Sequence, residues 1–232
     1  MGLNLSLSVA THDNSMTEEK DGIIKQNIKL PGDCDNGRLA FVLLNVFTKE
    51  ECQAYIDLTE AKGYIPALTH FGRGVKRLVP HYRNNDHCII DSVEIMSIIW
   101  QRVRSYIPKE WNNNYQILSL NECLRFLRYD VGQRFEAHVD SAYRRKNRSH
   151  ERSFLTIQVC LNEGFQGGAT TFIDPGGPNP KADMSYIPKQ GMVLAFEHCL
   201  LHEESALISG RKYTIPTDVM YKPKQMKKKN IL

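Results

Sequence analysis

Hydrophobic positions in this chain follow two spacings, and the change between them falls near residue 115. Ahead of it, a short apolar run over residues 38–44 reads as a strand. Thr48-Lys-Glu-Glu51 follows and forms a capping box, with a hydroxyl for the N–H three residues on and a carboxylate that reaches back. It predicts a helix to about Ala61, stopped by Gly63. A second helix is predicted from Asp91, with Glu94 at the reciprocal position. Val93, Met96, Ile99, Trp100 and Val103 form its apolar stripe, and Pro108 lies beyond its end. Past residue 115, short runs rich in Leu, Ile, Val, Phe, Tyr and Thr alternate with Gly, Asn, Asp and Pro breaks. They cover residues 116–129, 154–161, 169–173, 192–196 and 212–221. Many short strands with turn signals between them predict a β-sandwich or barrel, and two helices ahead of them make the fold class α+β.

The remainder carries no period. Residues 1–36 are polar and read as a loosely ordered leader, residues 141–152 as an exposed basic loop, and residues 222–232 as a basic tail. That leaves one domain over residues 37–221, with its chemistry-bearing core over about 115–221.

Composition narrows the class. At 232 residues, 41% hydrophobic and 24% charged, the chain suits one globular domain without disulfide staples. No apolar run reaches the ~18 residues of a membrane span. The first residues lack the basic and apolar segments of a secretory signal, although Gly2 and Ser6 match the loose myristoylation pattern. An intracellular place, cytoplasmic or nuclear, is the expectation. Cys34, Cys52, Cys88, Cys123, Cys160 and Cys199 are dispersed, which argues against a zinc ribbon or a dithiol pair and for reduced thiols. The net charge is +4, and five of the lysines sit at the end: Lys222, Lys224, Lys227, Lys228 and Lys229. The body is nearly neutral, so the tail reads as a solvated end or as an import or nucleic-acid contact.

The candidate chemistry lies in Tyr129-Asp-Val-Gly132-Gln-Arg-Phe135-Glu-Ala-His138-Val-Asp140. On a strand, residues two apart share a face, so His138 and Asp140 present an imidazole and a carboxylate side by side. With a distant second histidine they make the two-histidine, one-carboxylate set suited to iron(II) with open positions. His198 and His202 compete for that place. Ten residues past His202 stands Lys212, a cation for the far end of a dicarboxylate co-substrate. Ten past His198 stands Ile208, which binds no carboxylate. His202 is therefore preferred.

From about Leu120 to Tyr221 the chain resembles the catalytic domain of the prolyl 4-hydroxylase-like 2-oxoglutarate/iron(II) oxygenases. The matching signals run in order. They are Tyr129-x-x-Gly132, His138-x-Asp140, Leu161-Asn162, Gly167-Gly-Ala-Thr-Thr-Phe172, Pro188-x-x-Gly191, His202-Glu203, Gly210-x-Lys212-Tyr213 and Asp218-Val-Met-Tyr221. The resemblance implies a double-stranded β-helix, or jelly roll, with supporting N-terminal helices. It implies Fe(II), 2-oxoglutarate and O2, with ascorbate as an accessory reductant. By position, His138, Asp140 and His202 would hold iron. Lys212 would pair with the remote carboxylate of 2-oxoglutarate and Tyr129 would offer it a hydroxyl. Arg211, on the opposite strand face, is the second-ranked cation.

Three departures from that pattern stand out. Phe135 replaces a common tyrosine, Cys160 stands where many relatives carry tyrosine, and Gln158 where they carry an aliphatic residue. Leu155, Ile157, Val159 and Leu161 should face a packed layer. Thr156, Gln158 and Cys160 should face the cavity, with Gln158 touching co-substrate or substrate. Substrate contact is assigned to Arg83 and Asn84 in the polar segment from Lys76 to Asp86, with the loop Tyr143–Arg148 as a candidate lid. A peptidyl residue such as proline is the favoured target. A small metabolite, a free amino acid or a modified nucleic-acid base is the alternative, and a non-enzymatic jelly-roll binding protein the third.

Overall fold

A computed structural model describes residues 17–32, 35, 37–70, 75–146, 150–174, 176 and 183–224. Two facing sheets dominate. The larger has eleven strands. Its main path runs Thr17–Lys20, Ile23–Asn27, Ala40–Leu44, Val193–Glu197, Arg152–Cys160, Lys212–Pro223, Cys123–Tyr129, Asp86–Asp91 and Ile65–Pro66. The smaller has four strands, in the order Phe135–His138, His202–Glu204, Thr170–Phe172 and Met184–Tyr186. The strand pairings in both are antiparallel among the described residues, as chain reversals between neighbouring strands of a jelly roll require.

The alternation read in residues 154–161 sets the layers. Leu155, Ile157, Val159 and Leu161 are fully buried in the main core with Phe126, Ile215 and Val219. The same core takes Cys52 and Ile56 from the helix Lys49–Lys62, and Ile99 and Val103 from the helix Val93–Val103. On the opposite face, Thr156 and Gln158 line the cavity between the sheets. Cys160 does not. It lies in a second apolar cluster with Phe172, Leu194 and Phe196, and burial pushes its thiol up to about 12.

The first helix is held by its capping box. Thr48 accepts from the Glu51 backbone N–H, and the Glu51 carboxylate accepts from the Thr48 N–H. Gly63 ends it at φ 91°, where a side chain would be strained. The second helix differs from expectation at its start. Asp91 pairs with Cys123 as the last residue of a strand, and Ser92 is the cap, accepting from the Ile95 N–H. Val93 consequently falls outside the apolar stripe and is 67% exposed. These are the two α-helices among the described residues, so the molecule is sheet-rich and the α+β label overstates its helical share.

The leader and the tail need correction. Residues 17–27 are not loose; they form a hairpin, Thr17–Lys20 with Ile23–Asn27, on the edge of the large sheet. Apart from Ile23 and Ile24 its side chains are polar and show no alternation, which hid it, because an edge strand is defined by its backbone pairing. Residues 1–16, with the Gly2 and Ser6 pattern, lie outside the described residues. Lys222 belongs to the last strand and Lys224 pairs with Glu110 at 2.5 Å, whereas Lys227, Lys228 and Lys229 lie outside the described residues. The loop after Asp140 is pinned at its base. Arg145 pairs with Glu122 and Glu151, and Arg144 bridges to Arg152; Arg148 lies outside the described residues. Cys52, Cys88, Cys123, Cys160 and Cys199 are free thiols. No helix among the described residues is long and apolar enough to cross a membrane.

Candidate metal centre and its pocket

The smaller sheet builds the centre by register. His138 and His202 are direct partners on antiparallel strands, so both side chains leave the same face. Their ring centroids are 4.3 Å apart. Asp140 follows two residues on, held by its backbone N–H donating to the His198 carbonyl at 2.9 Å. Ligand atoms of His138, Asp140 and His202 all lie within 4.8 Å of one another. One small cation placed among them touches all three.

Each ring is set for that role. His138 Nδ1 donates to the Glu136 carbonyl at 2.8 Å, and His202 Nδ1 donates to the Leu200 carbonyl at 3.0 Å. A carbonyl only accepts, so Nδ1 carries the proton and Nε2 keeps its lone pair for a metal. Burial, then the neighbouring His202 ring, pulls the His138 pKa down to about 4, so that imidazole is neutral at pH 7. For Asp140 burial opposes ionisation. His202, His138 and the Thr156 hydroxyl outweigh it, and its pKa is lowered. Thr156 donates to Asp140 Oδ2, which fixes the carboxylate plane. Two imidazole nitrogens with an ionised carboxylate oxygen make a donor set that fits Fe(II).

His198 stands apart from this cluster. Its side chain is buried, and its Nε2 lies 3.4 Å from Asp218 Oδ1. Its backbone, not its ring, serves the site.

The large sheet supplies the other wall. Tyr129 and Lys212 are direct partners in it, and the Lys212 Nζ lies 5.3 Å from the Tyr129 ring centroid. Both are almost fully buried. The Tyr129 hydroxyl has no hydrogen-bond partner among the described residues, and burial followed by the charge of Glu204 raises its pKa. An unpartnered buried hydroxyl beside the cluster is a vacancy that a polar ligand would satisfy. Arg211 points out instead, to Asp130 at 2.5 Å and Glu60 at 3.9 Å.

Gln158 lies in the cavity wall, but its amide is engaged. Nε2 donates to Glu204 Oε1 at 3.1 Å and to Thr170 Oγ1 at 3.3 Å. Arg83 holds its guanidinium 4.5 Å above the ring of Phe135, a residue of the cavity wall, and Phe135 stacks on His138 with centroids 3.6 Å apart. Burial lowers the Arg83 pKa. The Asn84 side-chain Oδ1 accepts from the Arg134 backbone N–H at 2.7 Å. The sequence reading missed Glu204. Its signal was available, because Glu204 is two residues past His202 and so shares its face if that segment is a strand.

Residues 124–217 match the family described as the 2OG-Fe(II) oxygenase superfamily. Among curated proteins, the chain is 24% identical to prolyl 4-hydroxylase 13 of Arabidopsis thaliana, over 91% of this chain and 82% of that one. It is 27% identical to probable prolyl 4-hydroxylase 8 of the same plant, over 64% of this chain and 48% of the relative. Among solved structures, a viral collagen prolyl hydroxylase from Paramecium bursaria Chlorella virus-1, as its 2OG complex, superposes with a TM-score of 0.56. That match has 21% identity and covers 82% of this chain and 99% of the other. A Trichoplax adhaerens prolyl hydroxylase, bound to a hypoxia inducible factor peptide fragment, gives 0.59 at 18% identity, over 80% and 84% of the two chains. Likeness at these identities establishes the fold.

Proposed function

We propose that this chain is a prolyl 4-hydroxylase-like 2-oxoglutarate/Fe(II) oxygenase that hydroxylates a proline carried in a peptide, with His138, Asp140 and His202 as the iron ligands. The observation that carries the ligand assignment is the meeting of these three side chains, far apart in sequence, within 4.8 Å. The curated relatives' names, and the peptide in one structural neighbour, support a peptide target.

When bound, iron, 2-oxoglutarate and O2 would supply the oxidation: the oxo acid loses CO2 and takes one oxygen atom to become succinate, and the other oxygen atom enters a substrate C–H bond. The chain does the rest. His138 and His202 offer Nε2 lone pairs, held in aim by their Nδ1 hydrogen bonds. Thr156 orients Asp140. Tyr129 and Lys212 lie on the side of the pocket assigned to the oxo acid. Phe135 and Phe196 keep the metal side apolar and limit water. At the mouth, Tyr82 meets Phe135 edge to face at 5.5 Å, and Arg83 lies over the same ring. An aromatic floor with one cation beside it suits an apolar pyrrolidine ring flanked by peptide carbonyls, and Arg83 is the substrate contact we assign. The two helices serve as the support of the large sheet; their burial against Phe126 and Ile215 favours this reading.

Succinate release from 2-oxoglutarate, measured with iron and a proline-containing peptide library, tests the proposal. The expected result is peptide-stimulated succinate, with the mass gain of one oxygen on proline. Stimulation only by free amino acids, metabolites or nucleic acid counts against it.

A further inference from the structure

The subsite beside Lys212 already holds a carboxylate, and it belongs to the chain. Glu204 and Lys212 form an ion pair with 5% and 1% of each residue exposed. Lys212 Nζ also donates to the Gly168 carbonyl at 2.6 Å. The second Glu204 oxygen accepts from Thr170 Oγ1 at 2.8 Å and from Gln158 Nε2 at 3.1 Å. Every partner of this carboxylate comes from a different strand or turn, so it is held as a bound ligand would be held. The remaining cavity, lined by Tyr129, His138, His202 and Glu204, measures about 50 Å³. Lys212 is not part of its lining; Glu204 stands between the cavity and the lysine ammonium.

We infer that Glu204 is a built-in competitor for the co-substrate: its carboxylate occupies the place of the remote carboxylate of 2-oxoglutarate on Lys212, so the oxo diacid binds only by displacing it. The inference rests on the oxygenase reading. The physical argument is one of charge and tethering. A lysine ammonium already neutralised attracts a second carboxylate weakly, and Glu204 repels that carboxylate as it arrives. A group fixed two residues from His202 competes at an effective concentration on the order of millimolar or more, and it pays no association cost. Glu204 thereby sets which oxo acids the pocket accepts. It lowers the affinity for a diacid and leaves an oxo monoacid, which makes no call on Lys212, largely unaffected.

The test is calorimetric titration of the full chain loaded with Mn(II), which binds oxo acids without turnover. Wild type, Glu204→Gln, Glu204→Ala and Glu204→Ala/Lys212→Ala are titrated with 2-oxoglutarate and with 2-oxobutyrate. Glu204→Gln keeps the size and the neutral hydrogen bonds, so it guards against a folding defect in the alanine variant. The expected result is that both single variants bind 2-oxoglutarate roughly tenfold tighter or more, the scale of a hydrogen bond to a charged group. The double variant should lose that gain, and Glu204→Gln should leave 2-oxobutyrate unchanged. Equal affinity of wild type and both single variants for 2-oxoglutarate would overturn the inference. If Mn(II) binds but no variant takes up either oxo acid, the oxygenase reading itself fails, which is a separate and recognisable outcome.

Discussion

Replacing Thr156 by valine removes one hydroxyl from the metal centre and little else. The two side chains have nearly the same shape, and Thr156 sits in a strand, which both residues favour. What is lost is the hydrogen bond to Asp140 Oδ2. A hydrogen bond to a charged group contributes ~1.5–3 kcal/mol net. At ~1.36 kcal/mol per decade that is roughly 10- to 150-fold in an equilibrium constant. One effect works the other way. The Thr156 hydroxyl helps to hold the Asp140 pKa down, so without it the carboxylate is more basic and attracts a cation more strongly. Orientation wins, because the freed carboxylate must surrender rotation to join the two imidazoles. The net expectation is roughly 10- to 100-fold weaker metal binding, the usual scale for groups that orient metal ligands. Anaerobic titration of metal-free protein with Mn(II) or Co(II) measures it, and Thr156→Ser should restore most of the affinity. Denaturant unfolding of the metal-free variants separates this from a general loss of stability. If Thr156→Val binds metal as tightly as wild type while folding equally well, Asp140 does not depend on Thr156 and the reasoning is wrong.

Other expectations follow from charges and packing. Glu51 is held down to about 2, first by hydrogen bonds from Arg102, at 2.6 and 2.8 Å, and then by the Thr48 N–H, with burial opposing them. Its folded value lies below the ordinary 4.5, so the stability it adds is complete above that pH and is lost as pH falls toward 2. Because the Glu51 side chain is 36% exposed, solvent screening limits the effect to about 1 kcal/mol. Urea unfolding should show Glu51→Gln destabilised at pH 7, with the gap shrinking below pH 4.5 and closing only at about pH 2; a pH-independent gap would contradict this. Lys212→Ala leaves the Glu204 carboxylate buried and unpaired and should cost ~3–5 kcal/mol, with much of the loss recovered in Glu204→Ala/Lys212→Ala. Ile157, fully buried in the main core, should cost ~2–5 kcal/mol on truncation to alanine, read by thermal or urea unfolding. Phe135→Ala removes the ring between Arg83 and His138; it should raise KM for the peptide more than it lowers kcat, and the reverse split would remove Phe135 from the substrate floor.

Much of the site was legible because it depends on strand parity. His138 and Asp140 lie two apart, and Lys212 and Arg211 lie on opposite faces, both simple consequences of a period of two. His202 was reached through its spacing to Lys212. Glu204 was not, because His202–Glu204 is a three-residue strand of polar composition that gives no hydrophobic alternation to read. The hairpin over residues 17–27 also lacks an alternation to read, and it is ordered by pairing with Ala40–Leu44 together with the packing of Ile23 on the main core. Cys160 shares the parity of Thr156 and Gln158, yet it lies at the far end of the strand, beyond the cavity and among Phe172 and Phe196. Parity gives the face, and only the curvature of the sheet decides what that face meets. Asn84 shows a role that the sequence did not suggest: a polar residue in a loop can serve the backbone of a strand distant in sequence, here Arg134.

The convergence of three ligands carries the whole account, and metal uptake measures it most directly. Metal-free protein titrated anaerobically with Fe(II), followed by bound-iron analysis, should show wild type and His198→Ala binding iron alike, while His202→Ala loses it. Iron retained by His202→Ala and lost from His198→Ala would contradict the assignment, and with it the reading built on His138, Asp140 and His202.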